Sequence, residues 1–176
     1  MELTLLRHAE SEYNQFGVFQ GRIDCGLSKK GIAQTMEKAK CFDSTFYDIC
    51  FSSPLIRTIQ TAKILVPDMP LQFDARLIER NLGDWQNTPI TDEKLFFLNN
   101  LHQTPPNGES STDITTRVKE FIRYLSDNYA DKRILIITHA GIVYALQMAL
   151  GLELRQLDNL ETITISLGSK KLIKKH

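Results

Sequence analysis

Three stretches of this chain set chemically capable side chains directly after apolar runs. "TLLRH" ends in Arg7 and His8, "FSSPLIR" carries Ser52, Ser53 and Arg57, and "ILIITHAG" runs into Thr138 and His139. Each apolar run reads as a buried strand, and each polar pair as its carboxyl end. In open α/β sheets, ligand sites form outside the carboxyl ends of the strands. If these strands are parallel, two histidines and two arginines meet at one edge of the sheet. Taken singly, each residue has an ordinary reading. A lone strand-end histidine is usually a hydrogen-bonded structural residue, Arg57 a solvated helix residue, and Glu79 a surface charge. Their joint occurrence at equivalent strand ends is what points to a site.

Residue type then narrows the ligand. Two guanidinium groups offer planar forks of donors that match phosphate oxygens. Their positive charge opposes a metal cation, so a zinc site built from His8, His139 and Glu79 is disfavoured. The H-E-x-x-H spacing is also missing, and so is the glycine-rich phosphate loop of nucleotide triphosphatases. A neutral imidazole facing a phosphate can attack phosphorus and form a phosphohistidine. The arginines would neutralise charge on the equatorial oxygens, and a carboxylic acid would protonate the leaving oxygen and then activate water.

The elements that must aim these groups are legible in outline. Strands are expected over Glu2 to Leu6, Asp48 to Ser53, Arg133 to Thr138 and Thr162 to Leu167, with Leu71 to Phe73 as an edge strand. Ser28 is expected to cap a helix whose apolar face holds Ile32, Met36 and Ala39. Pro54 sits at the expected start of a second helix, with Ile56, Ile59, Ala62 and Ile64 as its stripe. Leu95, Phe96 and Leu98 suggest a short helix inside an otherwise irregular segment from Thr88 to Asn107. Ser110 and Asp113 form a capping pattern before a helix with Ile114, Val118, Phe121, Ile122 and Leu125 at helical spacing. An apolar helix follows His139 as far as Leu150, and the lysine-rich end reads as a tail or edge strand. Alternating strands and helices predict an α/β sandwich with a largely parallel sheet.

Bulk composition bounds the rest. At 176 residues the chain is expected to form one domain over 1–176, large enough to bury a full core. Basic and acidic residues balance at 21 each, which speaks against a nucleic-acid surface built on bulk charge but leaves room for a small basic pocket. No apolar run approaches the roughly 20 residues of a membrane span, so no membrane partner is expected. Glu2 precedes the first apolar run without a basic region, unlike a signal peptide. Cys25, Cys41 and Cys50 are odd in number and form no C-x-x-C pair, and they read as reduced thiols of a cytoplasmic protein. A monomer and a homodimer fit equally.

Six pieces carry a family resemblance: "LLRHAESEYN", "FQGRIDCGLSKKGIAQ", "FSSPLIRTIQTA", "LIERNLGDWQ", "NGESSTDITTRV" and "ITHAGIV". They occur in family order over nearly the whole chain. With them the chain resembles the histidine phosphatase superfamily, whose fold is phosphoglycerate-mutase-like, a three-layer α/β/α sandwich with a mostly parallel sheet. The resemblance implies that His8 is the nucleophile of the R-H-G motif and that Arg7, Arg57 and His139 complete the phosphate pocket. It implies Glu79 as proton donor, with Asn14, Gln20, Gly21 and Ala140 as substrate-binding positions. It implies no metal and no cofactor, with a small phosphorylated metabolite and inorganic phosphate as the molecules bound.

Two positions depart from the family pattern. Ala9 replaces the glycine after the nucleophile, where slightly tighter packing is the expected effect. Gln86-Asn87 replaces the usual Glu-Gly after Trp85, which alters a loop.

Within the family, the G-D-W and N-G-E-S pieces look nearer to small phosphatases, including the α-ribazole phosphatase group. The expected activity is a metal-independent phosphomonoesterase. A phosphoglycerate mutase is the alternative, but only about twenty residues separate Trp85 from Gly108, where substrate-covering insertions sit in the family. The branch acting on protein phosphohistidine usually lacks the acid segment. A non-catalytic phospho-ligand-binding domain is the alternative of another class. Substrate selection is expected to come mostly from Thr88 to Asn107. Trp85 is expected to pack, His102 to be solvated and Ser110 to cap its helix, while Phe16 and Phe19 either wall the pocket or pack their loop.

Overall fold

A computed structural model describes residues 1–99 and 103–168. In chain order it contains β1 (Glu2–Arg7), the one-turn α1 (Glu12–Gln15), α2 (Lys29–Ala39), β2 (Ile49–Ser52), α3 (Ile56–Leu65), β3 (Leu71–Phe73), α4 (Asp92–Asn99), α5 (Ser111–Asn128), β4 (Arg133–Thr138), α6 (Ala140–Ala149) and β5 (Thr162–Ser166). The strands lie in the order β3-β2-β4-β1-β5. All pair in parallel except β5, which runs antiparallel along β1 and closes that edge. The lysine-rich end and His102 lie outside the described residues.

Side-chain alternation along the strands builds the layers. Leu3 and Leu5 of β1, Phe51 of β2, and Ile134 and Ile136 of β4 face one way and pack with Ile114, Val118, Phe121 and Leu125 of α5 and Val143 and Leu146 of α6. Leu6, Cys50, Leu135 and Ile137 point to the other face, where Ala62 and Leu65 of α3 meet them. β4 is therefore covered on both faces, which is why Ile134 to Ile137 form an unbroken apolar run. Ser110 caps α5 by accepting from the Asp113 N–H at 3.0 Å, and Ser28 caps α2 by accepting from the Gly31 N–H at 2.8 Å. Among the described residues no helix is long and apolar enough to cross a membrane.

Two helices turn a different face inward from the one their apolar spacing predicts. On α2 the buried residues are Gly31 and Thr35, while Ile32 and Met36 are 36 % and 57 % exposed. A Cβ on Gly31 would lie 2.0 Å from the Glu10 carbonyl oxygen, so α2 approaches the loop after β1 at backbone distance. Large apolar residues do not fit such a contact, and small ones replace them. On α3 the inward face is Arg57, Thr58, Thr61, Ala62 and Leu65, whereas Ile56 is exposed. That face is polar because it supports the strand ends: Thr61 Oγ1 accepts from the Ala9 N–H at 3.1 Å and donates to the Arg57 carbonyl at 2.7 Å. Pro54 precedes the N-cap Leu55 and stands outside the helix. The strand Glu2–Arg7 also runs one residue further than expected, so Arg7 is held in the ladder itself.

The Gly31 contact separates two expectations. Helix propensity alone favours Gly31→Ala by about 0.5–1 kcal/mol. The close approach to Glu10 predicts a net loss of about 1–3 kcal/mol instead, as for other overpacked sites. Urea unfolding of the variant reads the sign directly.

Candidate active site

Strand register delivers the polar ends side by side. Arg7 lies opposite Thr138, and Leu6 opposite Ile137, which in turn faces Ser52. Beyond the last pairs, the His8 N–H donates to the Thr138 carbonyl at 2.9 Å and the Ser53 N–H to that of Ile137 at 3.2 Å. The rings of His8 and His139 therefore stand 5.2 Å apart between centroids, inclined at 63°.

The hydrogen-bond partners define each ring's tautomer. His8 Nδ1 sits 2.7 Å from the Ala9 carbonyl oxygen. A carbonyl only accepts, so Nδ1 carries the proton and Nε2 keeps its lone pair free. His139 has the opposite arrangement. Arg57 Nε–H donates to its Nδ1 at 3.2 Å, so the proton is on Nε2, which donates to Ser53 Oγ at 2.8 Å. Burial pushes both rings well below the ordinary histidine range, and the Arg57 charge adds to the effect on each. Both are thus neutral bases at physiological pH.

The two arginines are held differently. Arg57 is 1 % exposed. Its guanidinium donates to the Ile23 and Gly21 carbonyls, each at 2.9 Å, as well as to His139. Burial lowers its pKa from the ordinary arginine value, and Glu79 supplies the largest offsetting charge. Arg7 donates to the Leu157 carbonyl at 2.8 Å, while its buried Nε–H has no acceptor among the described residues. Burial likewise lowers the Arg7 pKa, opposed by Glu79 and Asp158.

Glu79 faces this cluster with its carboxylate fixed from two sides. Oε1 accepts from the Arg80 N–H at 2.8 Å and Oε2 from the Gly141 N–H at 3.2 Å, in the first turn of α6. A Cβ on Gly141 would come within 2.5 Å of Glu79 Oε1, so a side chain there would displace the carboxylate from this position.

The remaining sequence-predicted positions also converge. Asn14, Gln20, Gly21 and Ala140 line one cavity of about 540 Å³ together with Arg7, His8, Arg57 and Glu79. His139 is fully buried and is not on the cavity wall; it stands behind, bonded to Arg57. Asn14 Oδ1 closes a capping box with Ser11, and Gln20 Oε1 accepts from Ser11 Oγ at 3.0 Å. Gly21 adopts φ +53°, and a Cβ there would lie 2.4 Å from Gln86 Oε1. Gln86 accepts from the Arg22 N–H at 2.7 Å and so braces the loop that carries the Arg57 acceptors. Asn87, in the usual glycine position, adopts φ 62°, a conformation asparagine tolerates better than other side-chain-bearing residues. The altered loop therefore keeps a left-handed turn.

Several supports were not read from sequence. Asn159 donates to the His8 carbonyl at 2.7 Å from the segment before β5. Glu109 binds Arg117 through both oxygens at 2.7 and 2.9 Å, meets Arg22 at 3.2 Å, and accepts from the Asn81 N–H. Arg22 Nε in turn donates to the Glu79 carbonyl at 3.0 Å. This network ties down the segment bearing Glu79. Glu109 lies inside "NGES", where its charge beside a helix cap was the available signal. Phe19 is buried and lines the cavity, whereas Phe16 is 75 % exposed. Trp85 packs on Phe97 at 4.7 Å between centroids and is off the cavity wall.

The expected source of substrate contacts needs correction. From Thr88 to Asn107, only Ile90, Leu95 and Leu98 reach the cavity among the described residues. Among the described residues, most of the outer wall comes from α6 and from the segments around Val18 and Leu154. The cause is the position of α6, whose first turn adjoins Glu79 and whose next turns continue along the same cavity.

Comparison with known proteins agrees with this geometry. The family model described as "Histidine phosphatase superfamily (branch 1)" matches residues 3–171. The chain belongs to that superfamily, a class of phosphoric monoester hydrolases and kindred phosphoryl-transfer enzymes. It is 29 % identical over 156 residues to the adenosylcobalamin/alpha-ribazole phosphatase of Escherichia coli, covering 83 % of this chain and 77 % of the relative. It is 30 % identical over 180 residues to the 2,3-bisphosphoglycerate-dependent phosphoglycerate mutase of a Methylobacterium species, covering 92 % and 86 %. Among solved structures, a mycobacterial glucosyl-3-phosphoglycerate phosphatase complexed with VO3 superposes with a TM-score of 0.84 at 26 % identity, covering 94 % of this chain and 92 % of that one.

The two neutral rings predict how stability depends on pH. The unfolded chain takes up protons on both histidines once pH falls below about 6.5, while the folded chain does not. Their contribution is therefore complete above that pH and is lost as pH falls, by up to about 1.4 kcal/mol per pH unit for each ring. Urea unfolding between about pH 7.5 and 5.5 is expected to show this slope, and His8→Gln to reduce it by one ring's share.

Proposed function

We propose that the protein hydrolyses a small phosphomonoester without a metal, through a phosphohistidine on His8. The carrying observation is the free Nε2 lone pair of His8, held neutral in a cavity that also presents Arg7, Arg57 and Glu79. In this reading Nε2 attacks phosphorus as the bond to the ester oxygen breaks. Glu79, in its acid form, gives that oxygen its proton, and the alcohol leaves. Glu79 then takes a proton from water, the resulting hydroxide attacks phosphorus, and the N–P bond breaks. Inorganic phosphate and the free imidazole are regenerated.

Arg7 and Arg57 stabilise the charge on the transferring group in a dry site, where such contacts are strongest. The partnerless Arg7 Nε–H supports an anion at this end, because leaving a buried donor unsatisfied costs about 1–3 kcal/mol that a phosphate oxygen offsets. His139 acts through Arg57: its Nδ1 fixes the orientation of that guanidinium. Asn14, Gln20, Gly21 and Ala140 line the space around the substrate. The match to residues 3–171 supports reading 1–176 as one domain.

The role of Glu79 is tested through leaving groups. Replacing Glu79 by Gln keeps the size and removes the proton. Alkyl phosphates, whose alcohols leave poorly, are expected to slow by about 10²–10⁴ in kcat. 4-Nitrophenyl phosphate needs no such help in the first step and is expected to show normal or near-normal transfer to His8 in pre-steady-state measurements. Equal slowing of that step for both esters contradicts the assignment.

A further inference from the structure

The cavity divides into two halves of opposite character. Its inner end holds Arg7, His8, Arg57 and Glu79. Its outer wall is built by Ala140, Tyr144 and Met148, spaced four apart along one face of α6, with Leu95 and Leu98 contributed by α4. Val18, Ile90, Ile114 and Leu154 complete it. Leu95, Ile90 and Leu154 are 38–42 % exposed, so large apolar side chains from three separate segments leave surface uncovered at one cavity. Convergent apolar surface of this kind marks a binding site.

Charge bookkeeping sharpens the chemistry. Among the described residues, the charged side chains lining the cavity are Arg7, Arg57, Glu79 and Arg80. The first three belong to the phosphate end. Arg80 is committed to the Glu109 and Gln103 carbonyls at 3.0 and 2.8 Å, and is 6 % exposed. No cation on the described wall is left for a carboxylate or a second phosphate. Such a group would be desolvated against Leu, Ile and Met without a counter-charge, which is costly. The other polar groups on the described wall, Asn14, Gln20, Thr115, Gln156 and the Tyr144 hydroxyl, are all uncharged and suit a hydroxyl or a ring nitrogen. The volume of about 540 Å³ is that of a site for a ring-bearing molecule, well beyond a phosphate alone.

We infer that the ester cleaved here has an uncharged, largely apolar leaving group, a ring or bulky alkyl body seated against the Tyr144–Met148 face of α6. This rests on the phosphomonoesterase reading above, and it separates the chain from enzymes whose substrates carry a glycerate carboxylate.

The test compares benzyl phosphate with 3-phosphoglycerate. Both are esters of primary alcohols, so wall contacts rather than leaving-group basicity dominate the difference. The expected kcat/KM for benzyl phosphate is higher by about tenfold or more, the range that small changes of apolar contact command in a pocket. Met148→Lys, which puts a cation in the wall, is expected to shrink or reverse that preference. Equal or better hydrolysis of 3-phosphoglycerate by the unaltered protein overturns the inference and leaves the phosphatase reading standing, as does an unchanged preference in folded Met148→Lys. Failure to hydrolyse either ester overturns the phosphatase reading instead. Calorimetry with two non-hydrolysable ligands then decides the wall by itself: tighter binding of benzylphosphonate than of 3-phosphonopropionate supports it, and the reverse order overturns it.

Discussion

Two guanidinium groups held out of water at one edge of a parallel sheet are the constraint on which the rest of the structure turns. Removing a charged side chain from water costs several kcal/mol unless partners replace the lost hydration. Arg57 obtains those partners from backbone carbonyls of Gly21 and Ile23 and from His139. The loop supplying the carbonyls is fixed in turn by the left-handed Gly21 and the side chain of Gln86 beneath it. The same dry surroundings keep both imidazoles neutral. The partnered guanidinium groups and the neutral imidazoles are thus two results of one burial.

The strand ends were legible because buried parallel strands have a simple signature. "RILIIT" is the clearest such run in the chain, and register then aligns Arg7 with Thr138. The helix faces were less legible. Apolar spacing on α2 selected Ile32 and Met36, yet the packed face is Gly31 and Thr35, because a close backbone approach admits only small side chains. On α3 the spacing selected Ile56, Ile59, Ala62 and Ile64; Ala62 is buried and Ile64 packs beside it, but Ile56 is exposed and the rest of the inward face is Arg57, Thr58, Thr61 and Leu65, because that helix lies beneath a polar site. Periodicity reports amphipathicity and misses a helix whose inner face is polar by function.

The site shows the same division. His8, Arg7 and Arg57 were readable from residue type and from their places at or just after strand ends, whereas Glu79 came from the family motif alone. Asn159 and Glu109 were not, since each acts through long-range hydrogen bonds to a carbonyl or an arginine from distant parts of the chain. Nor was the outer wall, because Tyr144 and Met148 look like ordinary core residues of an apolar helix until the sheet places their face along the cavity. A rigid, charged inner end and an apolar outer wall have separate origins in the sequence.

The central claim is that phosphorus passes through Nε2 of His8. Rapid quenching of the protein during turnover of a labelled phosphomonoester, followed by peptide mapping, tests it most directly. The account predicts an alkali-stable, acid-labile phosphoryl group on the peptide containing His8, formed and lost at rates compatible with turnover, and absent in His8→Ala. Sustained turnover with no such label, or with the label on another residue, contradicts it.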